Sequence, residues 1–61
     1  MTESLHKVAE VAEALGVSPR TVRRMIDAGE LPAIKVRAQT RVLASDLARY
    51  IAAQRRAAGA R

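Results

Sequence analysis

Leu15-Gly16-Val17-Ser18-Pro19-Arg20-Thr21-Val22-Arg23-Arg24-Met25-Ile26-Asp27-Ala28-Gly29 is the stretch whose reading decides the fold. Left-handed backbone costs glycine least, so Gly16 closes the helix before it and Gly29 the helix after it. Ser18 supplies a hydroxyl cap, and Pro19 takes the first helical position, where a missing N–H loses nothing. A helix is therefore predicted from Pro19 to about Ala28, with Pro32 beyond it as a second barrier. Only about two residues part the stop from the next start, so the second helix must turn sharply across the first.

Working outward, Val8, Val11, Ala12 and Leu15 recur at three- and four-residue steps and define a first helix. Downstream, Ile34, Val36, Val42 and Leu43 are β-favouring and interleave with Lys35, Arg37 and Arg41 around an Ala38-Gln39-Thr40 connection. This reads as a two-stranded hairpin, or wing. The connection lacks the Asn-Gly or Asp-Gly of a tight primed turn, which leaves a loop as the alternative. Ser45 and Asp46 resemble a helix start, and Leu47, Tyr50, Ile51 and Gln54 follow helical spacing, so a third helix is predicted to about Arg55. The Arg56–Arg61 tail has no large apolar anchor and is expected to fray.

The 61 residues carry no cysteine and one aromatic side chain, Tyr50, so the chain is read as a single domain, residues 1–61, ordered from about 5 to 56. A chain this short buries only about 60% of the surface exposed on unfolding, and its core must be built from Val, Leu, Ile, Met and Ala. A disulfide staple is excluded and His6 is the one imidazole, so no metal and no cofactor is expected. No apolar run approaches the ~20 residues that span a bilayer, and the start lacks a signal-peptide pattern. A cytoplasmic, nucleoid-associated protein with no membrane partner is the expectation.

The formal net charge of +5 is distributed unevenly: residues 1–17 sum to −2 and residues 18–61 to +7. A basic surface segregated from an acidic one suits a polyanion, because each neutralised phosphate releases condensed counterions. Projection of the second helix puts Val22, Met25 and Ile26 on one side and Arg20 and Arg24 on the other, with Thr21, Arg23 and Asp27 at the flanks. Arginine suits an outward face there, since its planar fork bonds two acceptors on guanine or bridges phosphate oxygens. Ser18 and Thr21 add hydroxyls at the helix start, where free N–H groups attract phosphate. Lys35, Arg37, Gln39, Thr40 and Arg41 form a second basic element on the wing, within reach of a backbone or minor groove. Tyr50 belongs with Leu47 and Ile51 in the core, because single-strand binders display several aromatics. Glu10 and Glu13 sit on an outer helix face in a chain too small to enclose a cleft, and no nucleophile, base and orienting partner occur together. No enzyme is expected.

The run from Val11 to Ala33, continued through the basic hairpin to Ser45-Asp46-Leu47 and Tyr50-Ile51, resembles the excisionase-type, MerR-like winged-helix DNA-binding domains over about residues 8–54. The resemblance implies a mainly α fold, a three-helix winged helix-turn-helix with a small two-stranded hairpin. It implies that the second helix recognises double-stranded DNA through Ser18, Arg20, Thr21, Arg23 and Arg24, with Arg37, Gln39, Thr40 and Arg41 on the wing. Met25 stands where the family usually has tryptophan. Ala38-Gln39-Thr40 replaces a commonly glycine-rich turn that ends in an aromatic before the arginine that is Arg41 here. Full-length MerR-type activators continue into a long dimerising helix; this polypeptide ends before one, so a ligand-sensing activator with a small-molecule ligand is not expected. Two roles remain. Excisionases, by resemblance, line up head-to-tail on repeated sites, bend DNA and direct a tyrosine integrase toward excision of a prophage. A small stand-alone transcriptional regulator of the same fold is the alternative.

Overall fold

The computed structural model describes residues 4–59. Strand β1 (Leu5–Lys7) runs straight into helix α1 (Val8–Leu15), and a tight turn leads to helix α2 (Pro19–Asp27). Strands β2 (Ile34–Val36) and β3 (Gln39–Leu43) form the wing, and helix α3 (Ala44–Gly59) closes the order. The architecture is the winged helix-turn-helix expected from the resemblance, with three helices and an antiparallel hairpin.

The punctuation falls where the residue types require it. Gly16 is left-handed at φ +71° and Gly29 at φ +79°. The Val17 N–H donates to the Ala12 carbonyl at 3.0 Å, which satisfies a helix-end acceptor that would otherwise be unpaired. Ser18 caps α2: its Oγ accepts from the Thr21 N–H at 3.2 Å and lies 3.0 Å from Thr21 Oγ1. At the start of α1 the Glu10 carboxylate accepts from the Lys7 N–H at 2.7 Å. Lysine has no side-chain acceptor to return that bond, so the N-terminal cap is one-sided.

One core holds these elements at fixed angles. Val11, Val22 and Val42 are fully buried, one each from α1, α2 and β3, and Leu31 joins them from the α2–β2 connection. Val8, Ala12 and Leu47 complete the buried set; Leu15, Met25, Ile26, Ala33, Tyr50 and Ile51 pack around it. Each fully buried aliphatic side chain in this set contributes roughly 1.5–3 kcal/mol.

Four details differ from the reading of the sequence. The sheet has three strands in the order β1-β3-β2, since Leu5, His6 and Lys7 pair with Leu43, Val42 and Arg41. The wing turn sits at Arg37-Ala38, not at Ala38-Gln39-Thr40: Val36 pairs with Gln39, and Gln39 and Thr40 belong to β3. Arg37 and Ala38 take φ +53° and +66°, both positive as in a primed two-residue turn, although neither is glycine or asparagine. Helix α3 begins at Ala44, before the Ser45-Asp46 pair, because β3 feeds it directly and the Ala44 N–H donates to the Ser4 carbonyl at 3.0 Å. It ends at Gly59 instead of near Arg55, as befits a segment of alanine, arginine and glutamine with no breaker before Gly59. Of the tail expected to fray, positions 60 and 61 lie outside the described residues.

Candidate nucleic-acid interface

The burial of α2 dictates which of its side chains remain free. Val22 is fully buried and Met25 and Ile26 are half-buried, which turns Arg20, Arg23, Arg24 and Asp27 to solvent. Among the described residues none of Arg20, Arg23, Arg24, Lys35 and Arg37 has a carboxylate within 4.0 Å. These cations are uncommitted and available to an external anion. No acidic residue occupies the first turn of α2, so its N-terminal N–H groups and their partial positive charge are not neutralised locally.

The wing and α2 border common grooves. One, of about 290 Å³, is lined by Arg23, Asp27, Lys35 and Thr40 over an apolar floor that includes Ile26 and Ala33. A second, of about 370 Å³, again takes Arg23, Lys35 and Thr40, with Lys7, Gln39 and Arg41. Strand register explains this: Lys35 lies opposite Thr40, and Thr40 shares its face with the buried Val42, so both point toward α2. Gln39 and Arg41 belong to the other face and reach the groove from its rim.

The structure thus brings Arg23, Lys35 and Thr40 together, with Gln39 and Arg41 at the margin. Arg20 and Arg24 lie on the exposed helix face, and Arg37 stands at the wing tip. Ser18 and Thr21 are engaged with each other at the helix cap, Ser18 exposed and Thr21 half-buried. Arg41 is committed in a way its sequence position did not suggest. Its Nη1 donates to the Thr40 carbonyl at 2.9 Å and its Nη2 donates to Gln39 Oε1 at 2.6 Å. With its oxygen occupied, the Gln39 amide presents N–H donors outward, the polarity that phosphate and minor-groove acceptors require.

A carboxylate also sits at the start of α1, close to Lys7 and Arg41. There the Lys7 N–H holds the Glu10 carboxyl below its usual value of 4.5; loss of hydration opposes this, and the charges of His6, Lys7 and Arg41 add smaller lowering effects. His6 Nδ1 lies 3.8 Å from the same carboxylate. Asp27 is the interface residue that projection treated only as a flank; its i+4 spacing from Arg23 was the signal that placed it on the same groove.

A cationic helix beside a cationic hairpin, on a scaffold set by a glycine turn, defines a winged helix-turn-helix DNA-binding domain. The sequence matches the helix-turn-helix domain family over residues 7–55, and the chain belongs to that family of excisionase-type, MerR-like small DNA-binding domains. No curated protein and no solved structure matches it. Members of this family are generally non-enzymatic. Among the described residues, no helix is long and apolar enough to cross a membrane and no cluster of His, Cys, Asp and Glu is placed to hold a metal.

Proposed function

We propose that this domain recognises a short double-stranded DNA site with α2 in the major groove and the wing on the adjacent backbone or minor groove. The observation that carries the reading is the shared groove. Arg23 from the helix and Lys35 and Thr40 from the wing line one surface, so a duplex seated on α2 meets the wing without rearrangement. Arg20 and Arg24 supply base-edge or phosphate contacts, Ser18 and Thr21 hydroxyl contacts at the helix start, and Arg37, Gln39, Thr40 and Arg41 the wing contacts.

One such module buries only about 600–1,000 Å² on DNA, which gives weak discrimination alone. Its family likeness supports an excisionase role: copies align head-to-tail on repeated sites in a bacterial nucleoid, bend the DNA and direct a tyrosine integrase toward excision. The test is a gel-shift titration on an attachment-site arm with direct repeats, against a scrambled duplex of equal length, at two salt concentrations. Stepwise, cooperative complexes on the repeats alone are expected. Equal, salt-sensitive binding to both duplexes would overturn the excisionase role, and specific binding confined to promoter repeats would assign a transcriptional regulator instead.

A further inference from the structure

Asp27 stands against two electrostatic gradients at once. It is the last residue of α2, where the partial negative charge of the free carbonyl groups disfavours an acid. It also lies on a groove whose other polar lining is Arg23, Lys35 and Thr40, the surface that meets a polyanion. It is exposed, and among the described residues it forms no ion pair within 4.0 Å, although Arg23 and Arg24 are one turn away on the same helix. An Arg preceding an Asp by four residues is the less favourable order of such a pair, which accords with the gap. The carboxylate therefore contributes nothing to the cap, to the helix dipole or to a salt bridge, and it opposes phosphate.

What a carboxylate can do on such a face is accept a hydrogen bond from an exocyclic amine in the major groove, and cytosine N4 is the donor that matches it. Position along the helix makes this specific. Asp27 follows Arg20 by seven residues, which brings it about 20° short of two full turns and about 10.5 Å farther along the same stripe. At 3.4 Å per base along a strand, that separation is about three base pairs. Resting on the DNA-binding reading above, we infer that Asp27 is a specificity-determining residue. It accepts from a cytosine amine about three base pairs from the base read by Arg20, and it penalises every register that places a phosphate or a bare acceptor there.

The test is selection of bound duplexes from a randomised library by the full 61-residue chain and by its Asp27→Ala, Asp27→Asn and Arg20→Ala variants, each checked for folding by its thermal transition. The wild type is expected to prefer cytosine at one position. Asp27→Ala should lose that preference alone, by roughly 5- to 100-fold in discrimination, and should bind unrelated DNA more tightly. Asp27→Asn should move the preference toward adenine, since an amide pairs with its N6 and N7. The position lost in Arg20→Ala should lie about three base pairs away. A wild type that selects a motif which both Asp27 variants retain unchanged would overturn this inference and leave the DNA-binding reading standing. A wild type that selects no motif would overturn sequence reading by α2 itself.

Discussion

Gly29 and Ala38 occupy nearly the same left-handed backbone, φ +79° and +66°, with opposite residue choices, and exchanging the choices should move stability in opposite directions. A Cβ added at Gly29 meets nothing within 4 Å, so Gly29→Ala introduces no clash and isolates the backbone term. Left-handed conformation costs an L-residue about 1–2 kcal/mol, while replacing glycine regains about 0.4–1 kcal/mol from the unfolded chain. The net is a loss of about 1 kcal/mol for Gly29→Ala and a gain of similar size for Ala38→Gly. In a domain of this size 1 kcal/mol moves the thermal midpoint by about 4–8 °C. Far-UV circular dichroism melts of the two single variants and the double variant measure this directly. The double variant should return close to wild type, because the two sites lie in different connections and neither belongs to the buried core. A Gly29→Ala midpoint at or above wild type, or an Ala38→Gly midpoint below it, would refute the argument from backbone conformation.

Further expectations follow from the core, the cap and the wing. Leu31→Ala removes a side chain only 1% exposed, which should cost about 2–5 kcal/mol of the roughly 3–9 kcal/mol available to so short a chain; urea denaturation at 25 °C should show a large drop in midpoint, and a loss under 1 kcal/mol would deny Leu31 its place in the core. Glu10 has a folded pKa below its ordinary value, so its stabilisation is complete above the unfolded value and disappears as pH falls through the folded one. Glu10→Gln should therefore lower the midpoint near neutral pH and narrow the gap to wild type in acid; a gap independent of pH would remove the cap from the account. Because Arg41 holds the Gln39 amide, Gln39→Ala and Arg41→Ala should be non-additive in DNA affinity, with a coupling of about 0.5–1.5 kcal/mol in a double-mutant cycle read by fluorescence anisotropy. Strict additivity would make them independent contacts.

How far the sequence discloses this molecule depends on whether a residue type has one physical use or several. Gly16, Ser18-Pro19 and Gly29 each have one dominant use at a helix boundary, and α1 and α2 end where these residues predict. Arg37-Ala38 carries no such mark. Neither residue favours positive φ, so the residue types place the turn one residue late, at Ala38-Gln39-Thr40, and its true position follows from the register of β2 against β3. Strand β1 is three residues long with no alternation to detect, and its identity comes from backbone pairing with β3, a long-range fact. Ser45-Asp46 carries a genuine start signal one residue late, overridden by the direct passage from β3 into α3.

The interface was legible to the same degree. Periodicity alone divides α2 into a buried side and a cationic side, and the structure keeps that division. Periodicity does not say which wing residues face the helix. Lys35 and Thr40 are set toward Arg23 by pairing with each other and by the inward turn of Val42, whereas Arg41 spends its fork on Gln39 and the Thr40 carbonyl. Asp27 was visible as an acid among arginines, yet only the groove gives that placement a chemical meaning.

The most direct test of the central claim is dimethyl sulfate protection of guanine N7 on a bound site, compared between wild type and the Arg20→Ala and Arg24→Ala variants. N7 lies in the major groove, so a recognition helix seated there shields it. The account predicts protection of one or more guanines by the wild type, loss of that protection at defined positions in the variants, and a fall in specific affinity of about 1–3 kcal/mol wherever the lost arginine reads a base. Tight binding with every guanine N7 still reactive, and affinity unchanged in both variants, would contradict it.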